Sequence, residues 1–177
     1  MTRKPYTPST AKVARIQEKE GDNWTLIVIK ELRHPREMVW EALTRPEQLR
    51  EWAPFDASDR LDKAGNVVKL STVGAPAEYV TETVITRADA PSVLEYNWGG
   101  SDMRWKLEPI ESGTRLTLWS KIDRRYIAMG AAGWHVCLDV LDHLLSGEPI
   151  GRLVAEDALE SEGWQQLHEE YVREFAE

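Results

Sequence analysis

Only one cysteine, Cys137, occurs in the 177 residues, so no internal disulfide can form; a reducing compartment, the cytoplasm, is the expected setting. Basic residues are the minority. Twenty-two Lys and Arg stand against 30 Asp and Glu, a formal net charge of −8. Nonspecific nucleic-acid binding and docking on anionic membranes both need a basic surface, so neither nucleic acid nor membrane is expected as a partner. No run of eighteen apolar residues occurs, and residues 1–16 carry Arg3, Lys4 and Lys12 without the apolar stretch of a secretory leader. Also missing are a Gly-x-Ser-x-Gly elbow, a His-Glu-x-x-His helix, a phosphate loop and a dinucleotide glycine fingerprint. With 42% hydrophobic and 29% charged residues, wholesale disorder is excluded. A chain of this length matches one domain that buries roughly two-thirds of its unfolded surface without disulfide or metal.

Residues 1–22 are polar, include Pro5 and Pro8, and read as a flexible N-terminal extension with a short helix around Ala11–Glu20. Residues 23–177 read as a single domain, of which 148–177 form a C-terminal helical extension. Trp24–Leu32 is rich in β-branched residues and predicts a strand, stopped by His34-Pro35. Met38, Val39, Ala42 and Leu43 recur at helical spacing; Thr44-Arg45-Pro46 breaks that helix, and Pro46–Trp52 predicts a second short one. Strands follow at Val67–Val73, Tyr79–Arg87, Val93–Trp98, Ser101–Ile110 and Thr114–Ile122, separated by Gly-, Pro- and Ser-containing turns. A long helix over Tyr126–Leu145 stops at Gly147, with Pro149 beyond. Residues 148–163 read as irregular, and Trp164–Phe175 as a last amphipathic helix. The class is α+β: a curved antiparallel sheet of about six strands wrapped around a long C-terminal helix.

Period-two alternation places Leu94, Tyr96 and Trp98 on one sheet face, with Met103, Trp105 and Leu107, then Leu116, Leu118 and Ser120, as the matching series. On the long helix, Trp134, Leu138, Leu141 and Leu145 fall within an arc of about 60°. His135, Asp139 and His143 lie near 100°, 140° and 180° from Trp134, on the polar face. That spacing is compatible with a metal, but the expectation is no metal site and a face that is either turned to solvent or packed against residues 148–177. His135, nearest the apolar arc, takes a pocket-edge position. Tyr79, Glu82, Asp102 and Arg104 are further polar candidates, but no two form a paired acid and base, so no catalytic residue is assigned. Cys137, near 300°, reads as a small buried hydrophobe. Aromatic side chains can either fill the space beneath the helix or line a cavity there.

Three stretches resemble a known family. The first is His34-Pro35-Arg36-Glu37-Met38-Val39-Trp40-Glu41-Ala42-Leu43-Thr44-Arg45-Pro46-Glu47-Gln48-Leu49-Arg50-Glu51-Trp52. The second is Pro91 to Trp98, with Leu107-Glu108-Pro109 and Gly113-Thr114-Arg115-Leu116-Thr117-Leu118. The third is Gly133-Trp134 through Leu138, Leu141, Leu145 and Gly147, with the tail Trp164, Leu167, His168 and Tyr171. Together they are similar to the START-like (SRPBCC) superfamily of helix-grip folds, in the branch resembling the C-terminal domain of the activator of the ninety-kilodalton heat-shock protein's ATPase. His34 and Arg45 depart from that branch's usual alanine and aspartate. The resemblance implies two short helices after the first strand, an extra C-terminal helix, and a cavity between sheet and long helix with Trp52 at its entrance. The expected function is binding of a hydrophobic, aromatic or lipid-like small molecule by Trp52, Tyr96, Trp98, Met103, Trp105, Trp134, His135 and Leu138, with no cofactor. A cyclase or hydrolase in the same cavity, and a module interacting with a chaperone, are the alternatives. The tail helix is the candidate contact for a homodimer.

Overall fold

The computed structural model describes residues 6–9, 14–19, 23–76 and 79–175. The elements run β1 (Ala14–Lys19), β2 (Asn23–Leu32), α1 (Arg36–Thr44), α2 (Pro46–Leu49), β3 (Phe55–Ala57), β4 (Val67–Thr72), β5 (Val80–Val84), β6 (Arg87–Asp89), β7 (Val93–Trp98), β8 (Ser101–Ile110), β9 (Gly113–Ile122), α3 (Ile127–Leu145), α4 (Ala155–Leu159) and α5 (Glu162–Glu174). The main sheet has six strands in the order β1-β2-β9-β8-β7-β6, and β3-β4-β5 make a second, smaller sheet; every pairing is antiparallel. The long helix α3 lies in the grip of these sheets with Trp134, Leu138, Leu141 and Leu145 buried, as its wheel predicts. This is the α+β helix-grip arrangement.

Alternation along the strands builds the core. Leu26, Val28 and Leu32 of β2, Met103, Trp105 and Leu107 of β8, and Leu116 and Leu118 of β9 are all buried on one face. Gly113 opens β9 at φ +149°, where a Cβ would run into the Leu32 carbonyl oxygen; only glycine lets the β8–β9 turn approach the end of β2 so closely.

Three local expectations are corrected. Tyr79–Arg87 is not one strand. The chain passes from the small sheet to the main one between Val84 and Arg87, because β5 pairs with β4 and β6 pairs with β7. Residues 148–163 contain the short helix α4. The N-terminal residues read as a flexible extension include a strand, not a helix. Ala14–Lys19 pairs with Asn23–Val28, and backbone hydrogen bonds to an open strand edge require no apolar pattern in the added strand. The rest of the predicted Ala11–Glu20 helix lies outside the described residues.

Residues 6–9 cross α3 and fasten it. Asp139 is 5% exposed, not solvated, and receives four donors. The Lys30 ammonium (2.9 Å) and the Ser9 hydroxyl (2.7 Å) donate to Oδ1; the Tyr6 hydroxyl (2.6 Å) and the Ser9 backbone N–H (2.9 Å) donate to Oδ2. One turn earlier, His135 is 2% exposed. Its Nε2 lies 3.1 Å from the Ser9 carbonyl oxygen, which can only accept, so that nitrogen carries the proton. Its Nδ1 then accepts from the Tyr171 hydroxyl of α5 at 2.8 Å. His143, the third member of the stripe, is exposed. The two residues nearest the apolar arc are thus buried by chain from both ends of the sequence.

Burial pushes the His135 imidazole below its ordinary value of 6.5; the Asp139 carboxylate opposes that shift, and the Lys30 charge adds to it. Burial would raise Asp139, but the hydrogen bonds from Lys30, Ser9 and Tyr6 outweigh it and hold the carboxyl below its usual range. As the pH falls through about 6.5, the unfolded chain binds a proton at His135 that the folded chain does not, and stability falls. Asp139 works in the same direction, at pH values below about 4. The expected result is a thermal midpoint that declines from pH 7.5 to 5.5 in the native chain and declines less in His135→Gln; parallel curves would refute the assignment. Asp139→Ala leaves the Lys30 charge buried and unpaired and should cost about 3–5 kcal/mol, read by chemical denaturation.

Candidate functional site

Beneath α3, aromatic rings close on one another. Trp105 meets Trp134 (centroids 5.5 Å, 81°), Trp134 meets Trp98 (6.0 Å, 80°), and Trp98 meets Phe55 (5.0 Å). Phe55 meets Tyr96 (6.2 Å, 83°), and Trp105 Nε1 donates to the Tyr96 hydroxyl at 3.1 Å, closing the circuit. Trp52 packs edge-on against Trp105 (6.1 Å, 86°) and donates its Nε1–H to the Ala42 carbonyl at 3.0 Å. The Nε1–H groups of Trp52 and Trp105 and the Tyr96 hydroxyl therefore have partners, and these rings pack against one another in the middle of the grip.

Space remains at one end. A cleft of about 370 Å³ lies between the N-terminal half of α3, the adjoining ends of β7, β8 and β9, and the chain from Leu153 to Trp164. Trp98, Trp134 and Trp164 supply its aromatic walls, and Leu153, Val154 and Ala158 its far side. Met129 and Leu159, exposed at 43% and 45%, mark where it meets solvent. The lining polar side chains are few: Ser101, Ser120, Cys137 and the rim Lys121, which pairs with Asp102 at 3.4 Å.

Of the eight residues expected to bind a ligand, the structure places Trp98 and Trp134 on this cleft. Trp52, Tyr96, Met103, Trp105 and Leu138 are at most 3% exposed and belong to the filled core. His135 faces away, into the network beneath Tyr6–Ser9. Trp52 is therefore not at an entrance. It stands behind Trp105, where α2 delivers it into the core. Cleft residues that were not among those expected to bind a ligand include Ser101, Ser120, Gly133 and the 153–164 segment. A signal existed for the two serines. The inward series shrink toward one end, from Leu107 and Trp105 through Met103 to Ser101, and from Leu116 and Leu118 to Ser120. Small side chains at the end of an inward series leave space there. Lys30 also announced itself, as a charge in the inward phase of Leu26, Val28 and Leu32.

Reactive groups are scarce here. Burial pushes the Cys137 thiol up to about 12, against a smaller opposing pull from Arg152, so it stays protonated and non-nucleophilic at neutral pH. Tyr79, Glu82, Asp102 and Arg104 are exposed, and none of Tyr79, Glu82 or Arg104 lines the cleft; Arg104 lies over the Trp119 ring at 5.2 Å. Among the described residues no group of His, Cys, Asp or Glu is placed to hold a metal, and no helix is long and apolar enough to cross a membrane. Iodoacetamide at pH 8 should leave Cys137 unmodified in the folded chain and label it fully in denaturant; equal rates in both states would contradict its buried, protonated state.

Comparison with known proteins agrees with this architecture. The family described as "Activator of Hsp90 ATPase homolog 1-like protein" matches residues 33–146. No curated protein matches the sequence significantly. Among solved structures, protein SSP2350 from Staphylococcus saprophyticus is 25% identical, with a TM-score of 0.60 over 73% of this chain and 98% of its own. CalU16 from Micromonospora echinospora is 18% identical, with a TM-score of 0.65 over 90% of this chain and 95% of its own. A conserved protein of unknown function, EF2215 from Enterococcus faecalis, is 13% identical with a TM-score of 0.66 over 91% of this chain and 89% of its own.

Proposed function

Because the chain belongs to the activator of Hsp90 ATPase homolog 1-like family, within the START-like helix-grip superfamily, and carries an apolar cleft at the end of its grip, we propose that it binds a hydrophobic small molecule there. The observation that carries this reading is the wall chemistry. Three tryptophans and several aliphatic side chains enclose a volume suited to a small ligand, with a few hydroxyls to orient it. The ligand is aromatic or lipid-like, because the cleft offers much apolar surface and little to hold a charge. Binding without chemistry is favoured over a cyclase or hydrolase, since among the described residues no acid stands beside a base in the cleft lining. A reducing, cytoplasmic setting suits the lone protonated thiol. A chaperone-associated role is supported by the family's description alone.

The experiment is thermal unfolding of the full chain against flavonoids, polyketide-like aromatics, fatty acids and sterols. At a concentration of ~100 Kd a ligand adds about 2.7 kcal/mol, which moves the midpoint of a domain this size by roughly 5–10 °C. A reproducible shift from one class is expected; no shift from any class would overturn the reading. Trp98→Ala should weaken binding of that ligand at least tenfold; it also removes ring contacts to Phe55 and Trp134, so binding is read well below the variant's own lowered midpoint. Trp105→Ala removes a buried ring that does not line the cleft, and should act on stability, by about 3–5 kcal/mol.

A further inference from the structure

Gly133 sits inside α3, where glycine is less favourable than alanine because it loses more backbone freedom on folding. Such a position normally has a packing reason. Gly130, one turn earlier, has one: a Cβ there would come within 2.6 Å of Ile122 Cδ1. Gly133 has none. Among the described residues a Cβ built on it meets nothing within 4 Å, and its backbone has an ordinary helical φ. The open space it faces is the cleft, because Gly133 lines it together with Met129 and Cys137, four residues to either side on the same helical stripe. The middle of that stripe is bare backbone between two sulfur-bearing side chains. Across from the helix, the β8 and β9 strands present Ser101 and Ser120, again small.

We infer that Gly133 is a specificity-determining residue: it keeps open a slot over the α3 backbone that admits the flat face or edge of a planar, apolar ring. The inference rests on the cleft being the ligand site and goes beyond it by naming the residue that sets its depth and the shape it accepts. Two observations select a ring. The open strip over Gly133 is flanked on its own helix by Met129 and Cys137, four residues to either side. Trp98 and Trp134, at 80° to one another, line the same cleft and offer both an edge and a face for aromatic contact. A bulky branched group would meet Met129 and Cys137 on either side.

The test uses the full chain and the fluorescent probe 1-anilinonaphthalene-8-sulfonate, whose fused ring has the proposed shape. Gly133→Ala is expected to raise the thermal midpoint by roughly 1–4 °C, since the new methyl group meets no neighbour. The same change should weaken probe binding several-fold. Gly133→Leu should abolish binding while circular dichroism in the near ultraviolet stays native. A lowered midpoint in Gly133→Ala would mean that the glycine serves packing, and would overturn the inference. So would probe affinity equal to the parent chain in both variants. Failure of the parent chain itself to bind the probe or any member of the ligand panel would overturn the cleft reading and this inference with it. The two failures are therefore separate outcomes.

Discussion

The closed circuit of Trp105, Trp134, Trp98, Phe55 and Tyr96 is the contact on which the rest of the structure depends. Its members come from α3, β3, β7 and β8, so the sheets and the helix cannot move apart without breaking edge-to-face contacts on several sides. The circuit also carries its own polar atoms. Trp105 donates to Tyr96, and Trp98 donates to Thr72 of the small sheet at 3.0 Å. These rings occupy the centre of the grip, and the apolar cleft beside α3 lies toward its N-terminal half. Trp98 and Trp134 therefore act twice, as core on one side and as cleft wall on the other.

The helix α3 is asymmetric in the opposite sense. One flank meets the aromatic core. The other carries His135 and Asp139 into a buried polar network whose partners arrive from β2, the 6–9 segment and α5. A buried ion pair such as Lys30–Asp139 is a poor source of net stability, because desolvating two charges offsets most of their attraction. Its consequence is positional. Four donors converge on one carboxylate, so a small shift of residues 6–9 leaves a charge unsatisfied, and this arrangement is held against near alternatives. The Tyr6 ring reinforces it by lying on Gly163 of α5, where a Cβ would come within 2.6 Å of the ring. Burial and the neighbouring Asp139 carboxylate both push the Tyr6 phenol up, so it remains a donor throughout the neutral range.

Local pattern and global placement part company at identifiable residues. The alternation of Met103, Trp105 and Leu107, the arc of Trp134, Leu138, Leu141 and Leu145, and the stops at Pro35 and Gly147 are properties of adjacent residues, and they were legible as strands, helix and boundaries. The strand Ala14–Lys19 was not, because its stabilisation is backbone pairing to β2 rather than a pattern of its own. From the wheel His135 and Asp139 read as facing solvent or packed against residues 148–177, with His135 nearest the pocket edge; the wheel knows only α3, and their burial depends on chain more than thirty residues away in both directions. Trp52 was placed at an entrance by resemblance, whereas its neighbours Ala42 and Trp105 put it in the interior.

The sequence by itself determined the α+β class, the antiparallel pairing, the long amphipathic helix and the inward phase of Tyr96, Trp98, Trp105 and Trp134. Each follows from periodicities of 2 and 3.6 acting over a few residues. Only the tertiary structure decided which of those rings fill space and which border it. Whether seven aromatic and apolar side chains exhaust the volume between a sheet and a helix depends on how they interlock, a property of packed shape and not of spacing. The same holds for Gly133. Its missing Cβ is visible in the sequence, but the empty space beside it exists only once β8, β9 and the 153–164 segment have closed around it.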